Sequence, residues 1–142
     1  MSIPNNPSGP ENPSYFRTEI VVQPDDIDLQ GHVNNVVYVR WAQQVASAHW
    51  DAMAPVELRS EYRWVVLRHE IDYLHPAFLN DQITGYTWVS SVEGARSVRH
   101  VKLCAGDKEL AIAKTNWCLL DAKTMKPKRI GPDIKAWLER NL

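Results

Sequence analysis

The amino-acid sequence predicts an α+β domain in which a five-stranded antiparallel sheet wraps around one long helix. Three observations support this prediction. The chain has 142 residues, the size of one domain, one long segment shows the apolar period of a helix, and five shorter segments have the composition of strands. We therefore expect a single domain over residues 15–142 and no second domain.

The beginning of the chain differs in composition from the rest. Residues 1–14 contain prolines at positions 4, 7, 10 and 13, with Asn, Ser and Gly between them, and they offer almost nothing that a core can bury. We predict a disordered N-terminal tail over residues 1–14.

The long helix is predicted from about Asn34 to Ala52. Apolar residues recur there at steps of three and four, and further apolar residues widen this stripe around most of the helix circumference. A helix that is apolar around most of its circumference is expected inside a sheet that wraps it rather than on a surface. Pro55 fits an end of the helix just before it. The stripe consists of Val37, Trp41, Val45, Ala48 and Ala52.

The strands are predicted where aromatic and β-branched residues gather between turn residues. Short turns at 93–94 and 105–107 join the last three strands into an antiparallel meander. Apolar residues such as Tyr86 and Trp88 alternate with polar ones, so we expect one buried and one more hydrated face. Residues 56–62 give no clear prediction, and a short helix is expected from Pro132. The predicted strands are residues 15–22, 63–74, 82–92, 96–105 and 108–120.

The charge and cysteine content limit the possible functions. The chain has 16 basic and 17 acidic residues, a formal net charge of −1, so no general field attracts nucleic acid or a membrane surface. Cys104 and Cys118 lie in apolar segments and are expected to be reduced core thiols. The chain shows no secretory leader and no apolar run of roughly 20 residues. We expect a soluble, cytoplasmic protein that binds neither nucleic acid nor membrane.

Residues 25–38 concentrate the polar chemistry of the chain directly before the long helix. Asn34 or Asn35 can cap the helix, and the first-turn N–H groups that follow have no partner within the helix. Such groups stabilise a carbonyl oxygen that gains negative charge. Gly31 allows a sharp turn between the Asp28 carboxylate and these N–H groups. This arrangement is suited to acyl transfer.

The pattern Asp26-x-Asp28-x-x-Gly31-His32-Val33-Asn34-Asn35-x-x-Tyr38 resembles the signature of hot-dog-fold acyl-CoA thioesterases of the 4-hydroxybenzoyl-CoA thioesterase type. Segments 71–81 and 121–132 are also similar to this family, and the resemblance spans about residues 15–134. Many relatives have Gly where this chain has Asn80, and Asn tolerates the same left-handed turn. The resemblance implies the hot-dog fold, with the sheet wrapped around the helix.

The resemblance also implies roles for individual residues. Asp28 falls on the catalytic carboxylate, and the N–H near Asn35 falls on the group that polarises the thioester carbonyl. Asp25 and Asp26 are interpreted as structural. No Ser or Cys stands beside His32 for it to activate, so it is expected to line the site rather than act as a base. The expected substrate-binding residues are His32, Asn34, Tyr38 and Trp41 around the acyl group, and Arg96 and Ser97 at the CoA phosphates.

The implied reaction is hydrolysis of an acyl-CoA thioester to a carboxylic acid and CoA. Asp28 is either the nucleophile or the general base, and both alternatives stay open. A thioester is already activated, so no cofactor is expected, and the histidines show no paired spacing of metal ligands. In the family the site lies between two subunits. We therefore expect a homodimer with a continuous ten-stranded sheet, or a dimer of such dimers.

Two other functions remain possible from the sequence. A hot-dog dehydratase acting on hydroxyacyl thioesters would use a histidine and an acid on the helix, and here the helix offers His49 and Asp51. A non-catalytic acyl-CoA-binding protein would keep the pocket and lose the acid, whereas Asp28 is present. The sequence does not select the acyl group, and it leaves CoA and acyl carrier protein as alternatives.

Overall fold

The structure is a computed structural model, and it describes residues 15–140. The predicted tail over residues 1–14 lies outside the described residues. None of the helices within 15–140 combines the length and the apolar character needed to cross a membrane. The elements are β1 (Phe16–Val21), a single 3₁₀ turn (Pro24–Asp26), α1 (Asn35–Met53), α2 (Val56–Arg59), β2 (Tyr62–Tyr73), β3 (Gln82–Glu93), β4 (Arg96–Ala105), β5 (Lys108–Asp121) and α3 (Pro132–Glu139).

The five strands form one antiparallel sheet in the order β1-β3-β4-β5-β2. The strands β3, β4 and β5 are the predicted meander, whereas β2 lies at the far edge beside β5. The prediction of a five-stranded antiparallel sheet and one long helix is confirmed. The sequence did not predict α2, a single turn of helix within residues 56–62.

The helix α1 packs closely on the helix-facing side of the sheet. Val45 is fully buried, and it belongs to the same core cluster as Val37 and Ile83. A Cβ atom added to Gly85 on β3 would overlap with Cγ2 of Val45. Gly85 therefore allows the helix to approach the strand more closely than any side chain would permit.

The other side of the sheet is less hydrated than the sequence suggested. Tyr86 and Trp88 belong to the side away from α1, yet they are only 4% and 5% exposed. The ring of Tyr15 contacts both, at centroid distances of 6.1 and 5.0 Å, and His100 stacks on Trp88 at 5.3 Å. Tyr86 and Trp88 are therefore buried as the sequence predicted, but on the side of the sheet away from α1, where aromatic neighbours instead of the helix cover them.

Substituting Gly85 tests the contact between helix and sheet. We expect Gly85→Ala to destabilise the protein by about 1–3 kcal/mol, because the branched Val45 side chain cannot rotate away easily. In Gly85→Ala/Val45→Ala the two changes should compensate in part, so the loss should be smaller than the sum of the single losses. Urea denaturation of the four proteins measures this coupling. Additive losses would contradict the close contact.

Candidate active site

A tight hairpin leads into α1. Ile27 and Val33 form an isolated antiparallel bridge, and between them the N–H of Asp28 donates to the carbonyl oxygen of His32 at 2.8 Å. Gly31 has a φ of +84°, a left-handed conformation that favours glycine. The hairpin therefore holds the Asp28 side chain close to the start of the helix.

The Asp28 carboxylate is held at one oxygen only. Its Oδ1 accepts hydrogen bonds from the N–H groups of Gln30 at 2.9 Å and His32 at 3.3 Å. Its Oδ2 has no hydrogen-bond partner among residues 15–140. The loop thus fixes the orientation of the carboxylate and leaves its second oxygen available to a water or a substrate carbon.

The start of α1 leaves one N–H group unpaired. Asn34 is the N-cap, and its side chain accepts from the N–H of Val36 at 3.1 Å, while its carbonyl oxygen accepts from Val37 at 2.9 Å. The intervening N–H of Asn35 has no acceptor in the described part of the chain. It lies at the positive end of the helix dipole, where a donor can stabilise a developing oxyanion.

Asp26 connects the hairpin to the helix. Its carbonyl oxygen accepts from the N–H of Asn34 at 2.9 Å, and its carboxylate accepts from Arg40 Nη2 at 2.6 Å and from the N–H of Gln23 at 2.9 Å. Burial alone would raise its pKa, but these hydrogen bonds outweigh burial and hold the pKa of Asp26 below its usual value. Asp26 is therefore a structural carboxylate, as the sequence suggested, whereas Asp25 is exposed.

A cleft of about 380 Å³ lies where the hairpin meets the segment after β2. The N–H of Ala77 donates to the Tyr38 hydroxyl at 2.9 Å, and the Tyr73 hydroxyl donates to the carbonyl oxygen of Asn35 at 3.3 Å. These contacts join the two walls. The cleft is lined by Asp28, Gln30, His32, Val33, Asn34, Asn35, Tyr38, Tyr73, Leu74, His75 and Pro76.

Five of the predicted site residues line this cleft together: Asp28, His32, Asn34, Asn35 and Tyr38. The ring of His32 packs edge-on against Phe78 at 5.2 Å. Sequence reasoning did not assign Tyr73, Leu74, His75 and Pro76 to the site. They lie in the segment 71–77 that resembles the family, but only the pairing of β2 with β5 brings that segment to the helix start.

Trp41 lies in the core instead of the cleft. It is 1% exposed and contacts the ring of Tyr38 at 5.4 Å, and its outer edge faces a groove beside β1. The helix period explains this difference, because positions 38 and 41 share a helix face while only position 38 is close to the hairpin. The prediction that Trp41 forms a wall of the acyl pocket next to Asp28 is not met within the single chain.

Arg96 and Ser97 lie at the opposite end of the sheet from the cleft. Arg96 pairs with Cys118, and Cys118 pairs with Val65. Tyr73 of the cleft follows eight residues later on β2 (65 to 73), which corresponds to about 26 Å along the strand. Within one chain, these two residues therefore cannot belong to the cleft that contains Asp28.

His49 and Asp51, the pair considered for a dehydratase, do not face each other. His49 is fully buried, with Nδ1 at 2.9 Å from Arg99 Nη1 and Nε2 at 2.7 Å from the carbonyl oxygen of Arg140. Asp51 pairs with Arg59 at 3.6 Å. Residues two apart on a helix point in different directions. The dehydratase alternative therefore lacks its acid–base pair, and within residues 15–140 no three His, Cys, Asp or Glu side chains are arranged to hold a metal ion.

The match to known families identifies the class of protein. Residues 22–138, which contain the hairpin, α1 and the strands β2 to β5, match the Thioesterase-like superfamily. The chain belongs to this superfamily. The matched range includes every residue that lines the cleft.

Individual relatives agree with this assignment. The long-chain acyl-CoA thioesterase FadM of Escherichia coli (strain K12) is 25% identical over 135 residues, which cover 88% of this chain and 98% of FadM. A thioesterase from Thermus thermophilus, solved with coenzyme A and Zn, is 21% identical with a TM-score of 0.77, covering 88% of this chain and 91% of that one. A probable thioesterase from Bartonella henselae is 23% identical with a TM-score of 0.73, covering 82% and 98%. The family, the hot-dog fold and the thioesterase class predicted from the sequence are confirmed.

The buried state of His49 predicts how stability depends on pH. Burial, together with the charge of Arg99, lowers the pKa of His49 from its ordinary 6.5 to about 4. The unfolded chain therefore binds more protons between these pH values, and stability should decrease as the pH falls from 6.5 to 4, by up to about 3 kcal/mol. Asp26 acts at lower pH, because its pKa lies below 3.8.

Urea denaturation at pH 7, 5.5 and 4 measures this dependence. In His49→Gln the amide can still accept from Arg99 and donate to Arg140, but it does not titrate. We expect the variant to lose less stability over this interval than the wild type. Equal losses in the two proteins would show that His49 is not the group responsible.

Proposed function

We propose that this chain hydrolyses acyl-CoA thioesters to a carboxylic acid and CoA, with Asp28 and the N–H of Asn35 acting on the same thioester carbonyl. One observation carries the proposal. In one cleft lie an oriented carboxylate and a helix-start N–H, and within residues 15–140 neither the second carboxylate oxygen nor the N–H has a hydrogen-bond partner. These are the two groups that attack on a carbonyl carbon requires. FadM is a long-chain acyl-CoA thioesterase, and the Thermus relative was solved with coenzyme A.

The two groups have complementary tasks in this mechanism. The Asn35 N–H donates a hydrogen bond to the carbonyl oxygen. This hydrogen bond strengthens as negative charge develops on the oxygen, and it contributes about 3–4 kcal/mol to transition-state stabilisation. Asp28 Oδ2 either attacks the carbonyl carbon, forming a mixed anhydride and releasing the CoA thiolate, or takes a proton from the water that attacks. In the first case a water then hydrolyses the anhydride. Both routes use the same free oxygen.

We further propose a homodimer formed through β2, with a dimer of such dimers as the alternative assembly. β2 has 12 residues and lies at a sheet edge, so its outer backbone groups have no strand partner in residues 15–140. Leu67, Tyr73 and Leu74 expose between 45% and 48% of their surface along or just after this edge. An exposed long edge with apolar side chains is suited to pairing with a second copy.

Antiparallel pairing of two β2 strands would also complete the site. The start of β2 in one copy would lie beside the end of β2 in the other. Arg96 and Ser97 share their end of the sheet with the start of β2, so they would approach the partner's cleft. This supports the assignment of Arg96 to the CoA phosphates, which a single chain does not allow.

The state of the cysteines supports the expected cytoplasmic location. Cys104 and Cys118 are free and buried. Burial raises the pKa of Cys104 to about 11, so its thiol stays protonated and unreactive at neutral pH. Buried free thiols are typical of proteins in a reducing compartment.

Substituting Asp28 tests the catalytic assignment. We expect Asp28→Asn to lower kcat for acyl-CoA hydrolysis at least about a hundredfold, because the amide neither attacks nor accepts a proton. The hairpin should persist, since the amide oxygen can still accept from Gln30 and His32. Release of CoA with a thiol-trapping reagent, over a panel of acyl-CoAs, measures the rate. Asp25→Asn, an exposed neighbour in the same loop, is the matched control, and near wild-type turnover of Asp28→Asn would disprove the assignment.

Substituting Arg96 tests the shared site. Arg96→Ala should raise KM for an acyl-CoA several-fold and change it little for the matching pantetheine thioester, which lacks the nucleotide phosphates. The exposed Lys135→Ala on α3 serves as the control for a lost surface charge. Light scattering at micromolar concentration should show a dimer or tetramer. A monomer, or an equal effect of Arg96→Ala on both substrates, would contradict the proposal.

A further inference from the structure

A second cavity lies beside the C-terminal half of α1. The rise of 1.5 Å per helical residue puts it about 20 Å along the helix from Asn35. Its volume is about 50 Å³, several times the roughly 10–15 Å³ that one water needs. The helix α1, the strands β2, β4 and β5, and the helix α3 line it, and it is open to solvent on one side, where Ser47 is exposed. The lining residues are Ala46, Ser47, Trp50, Trp64, Ser97, Arg99, Trp117 and Leu138.

Arg99 brings to this cavity a positive charge that no carboxylate of residues 15–140 balances. The residue is 5% exposed, and its Nη1 donates to His49 Nδ1 at 2.9 Å and to Thr87 Oγ1 at 3.0 Å. Both acceptors are neutral, since a histidine that accepts at Nδ1 carries no charge. Within residues 15–140, no carboxylate forms an ion pair with the guanidinium. Burial lowers the pKa of Arg99 to about 10, which leaves it charged at neutral pH.

Two of the tryptophans that line the cavity carry buried donors without acceptors among residues 15–140. The indole Nε1 atoms of Trp64 and Trp117 are buried, and neither has a hydrogen-bond partner among the described residues. Buried donors are nearly always paired in folded proteins, and an unpaired buried charge is more costly still. Water can satisfy the indoles, but it cannot neutralise Arg99. An anion that accepts hydrogen bonds satisfies both requirements.

We propose that this cavity binds the carboxylate of an organic acid with an apolar body. A carboxylate is planar, only accepts hydrogen bonds, and matches both the charge and the fork of one guanidinium. The cavity has room for the carboxylate, and the rest of the molecule would extend through its open side along the apolar surface of Trp50, Ala46 and Leu138. Inorganic phosphate fits less well, because a single cation balances one negative charge and these walls cannot solvate the other oxygens.

The carboxylate has two possible sources: a free acid, or the far end of an acyl group bound as a thioester. The second source rests on the proposed function and dimer. Ser97, which lines the cavity, would then approach the partner's cleft together with Arg96. An acyl group with a terminal carboxylate would extend from one copy's Asp28 towards the other copy's Arg99.

Calorimetric titration of the full chain with free acids tests binding without any thioester. We expect benzoate to bind to the wild type, and benzamide and inorganic phosphate to bind at least about tenfold more weakly. Arg99→Met should weaken benzoate binding at least about tenfold, whereas Arg17→Met, an exposed arginine on β1, should not. Trp117→Phe removes one indole donor with little change in shape and should weaken binding several-fold, with Trp137→Phe as its control.

Several results would overturn the carboxylate site: no benzoate binding to the wild type, equal binding of benzamide or phosphate, or unchanged binding in both Arg99→Met and Trp117→Phe. Circular dichroism verifies the fold of each variant. If Arg99→Met does not fold, Trp117→Phe and the neutral amide decide the question.

Hydrolysis of two matched thioesters distinguishes the sources. If the acyl group supplies the carboxylate, Arg99→Met lowers kcat/KM at least about tenfold for glutaryl-CoA and leaves pentanoyl-CoA within about twofold. If the free acid is the ligand, both rates stay unchanged while benzoate binding is lost. A wild type that hydrolyses no thioester would disprove the proposed function, and the calorimetric result would still decide the carboxylate site.

Discussion

The burial of α1 against the sheet is the constraint on which the other features of the molecule depend. The helix lies so close to β3 that Gly85 must lack a side chain where Val45 contacts it. Along its middle, such a helix cannot carry unpaired charge, because no water reaches the contact. Polar residues in the middle of α1 therefore lie on its exposed side, at Arg40, Gln43, Gln44 and Ser47, and the polar groups that meet the rest of the protein lie nearer its ends. The Asp28 hairpin meets the N-terminus of α1, and His49 meets Arg99 near its C-terminus.

Features that depend on a few adjacent residues could be predicted from the sequence. The N-cap at Asn34, the left-handed Gly31 and the meander turns each follow from the conformations that their residue types favour. Asn80 is an informative case, because its φ of +77° is the left-handed conformation expected for it from the sequence. The half of the cleft built by the hairpin was predictable for the same reason, since Asp28 and Asn35 are seven residues apart in sequence (28 to 35).

Features that depend on distant pairings could not be predicted. The second wall of the cleft requires β2 to pair with β5 so that Tyr73 lies opposite Ala111, and no local pattern encodes that register. Arg99 looks like one polar position in an alternating strand, which usually indicates a hydrated face. It is buried because α1 and α3 both cover that part of β4. Trp41 is the opposite case: it was predicted to line the site, but its position in the helical turn points it into the core.

The charged side chains differ in how completely other groups of the protein balance their charge and fill their hydrogen bonds. The Asp26 carboxylate accepts hydrogen bonds from Arg40 and from the Gln23 N–H, so its charge is balanced, and it holds the hairpin on the helix. Among the described residues, Asp28 has hydrogen-bond partners at one carboxylate oxygen only, and the acceptors of Arg99 are neutral. A buried charge without a counter-charge destabilises a fold relative to an apolar residue of similar size. This cost applies to Arg99, where it indicates a ligand carboxylate. Asp28 is only half-buried, and there the indication of a ligand is its position in the cleft beside the N–H of Asn35.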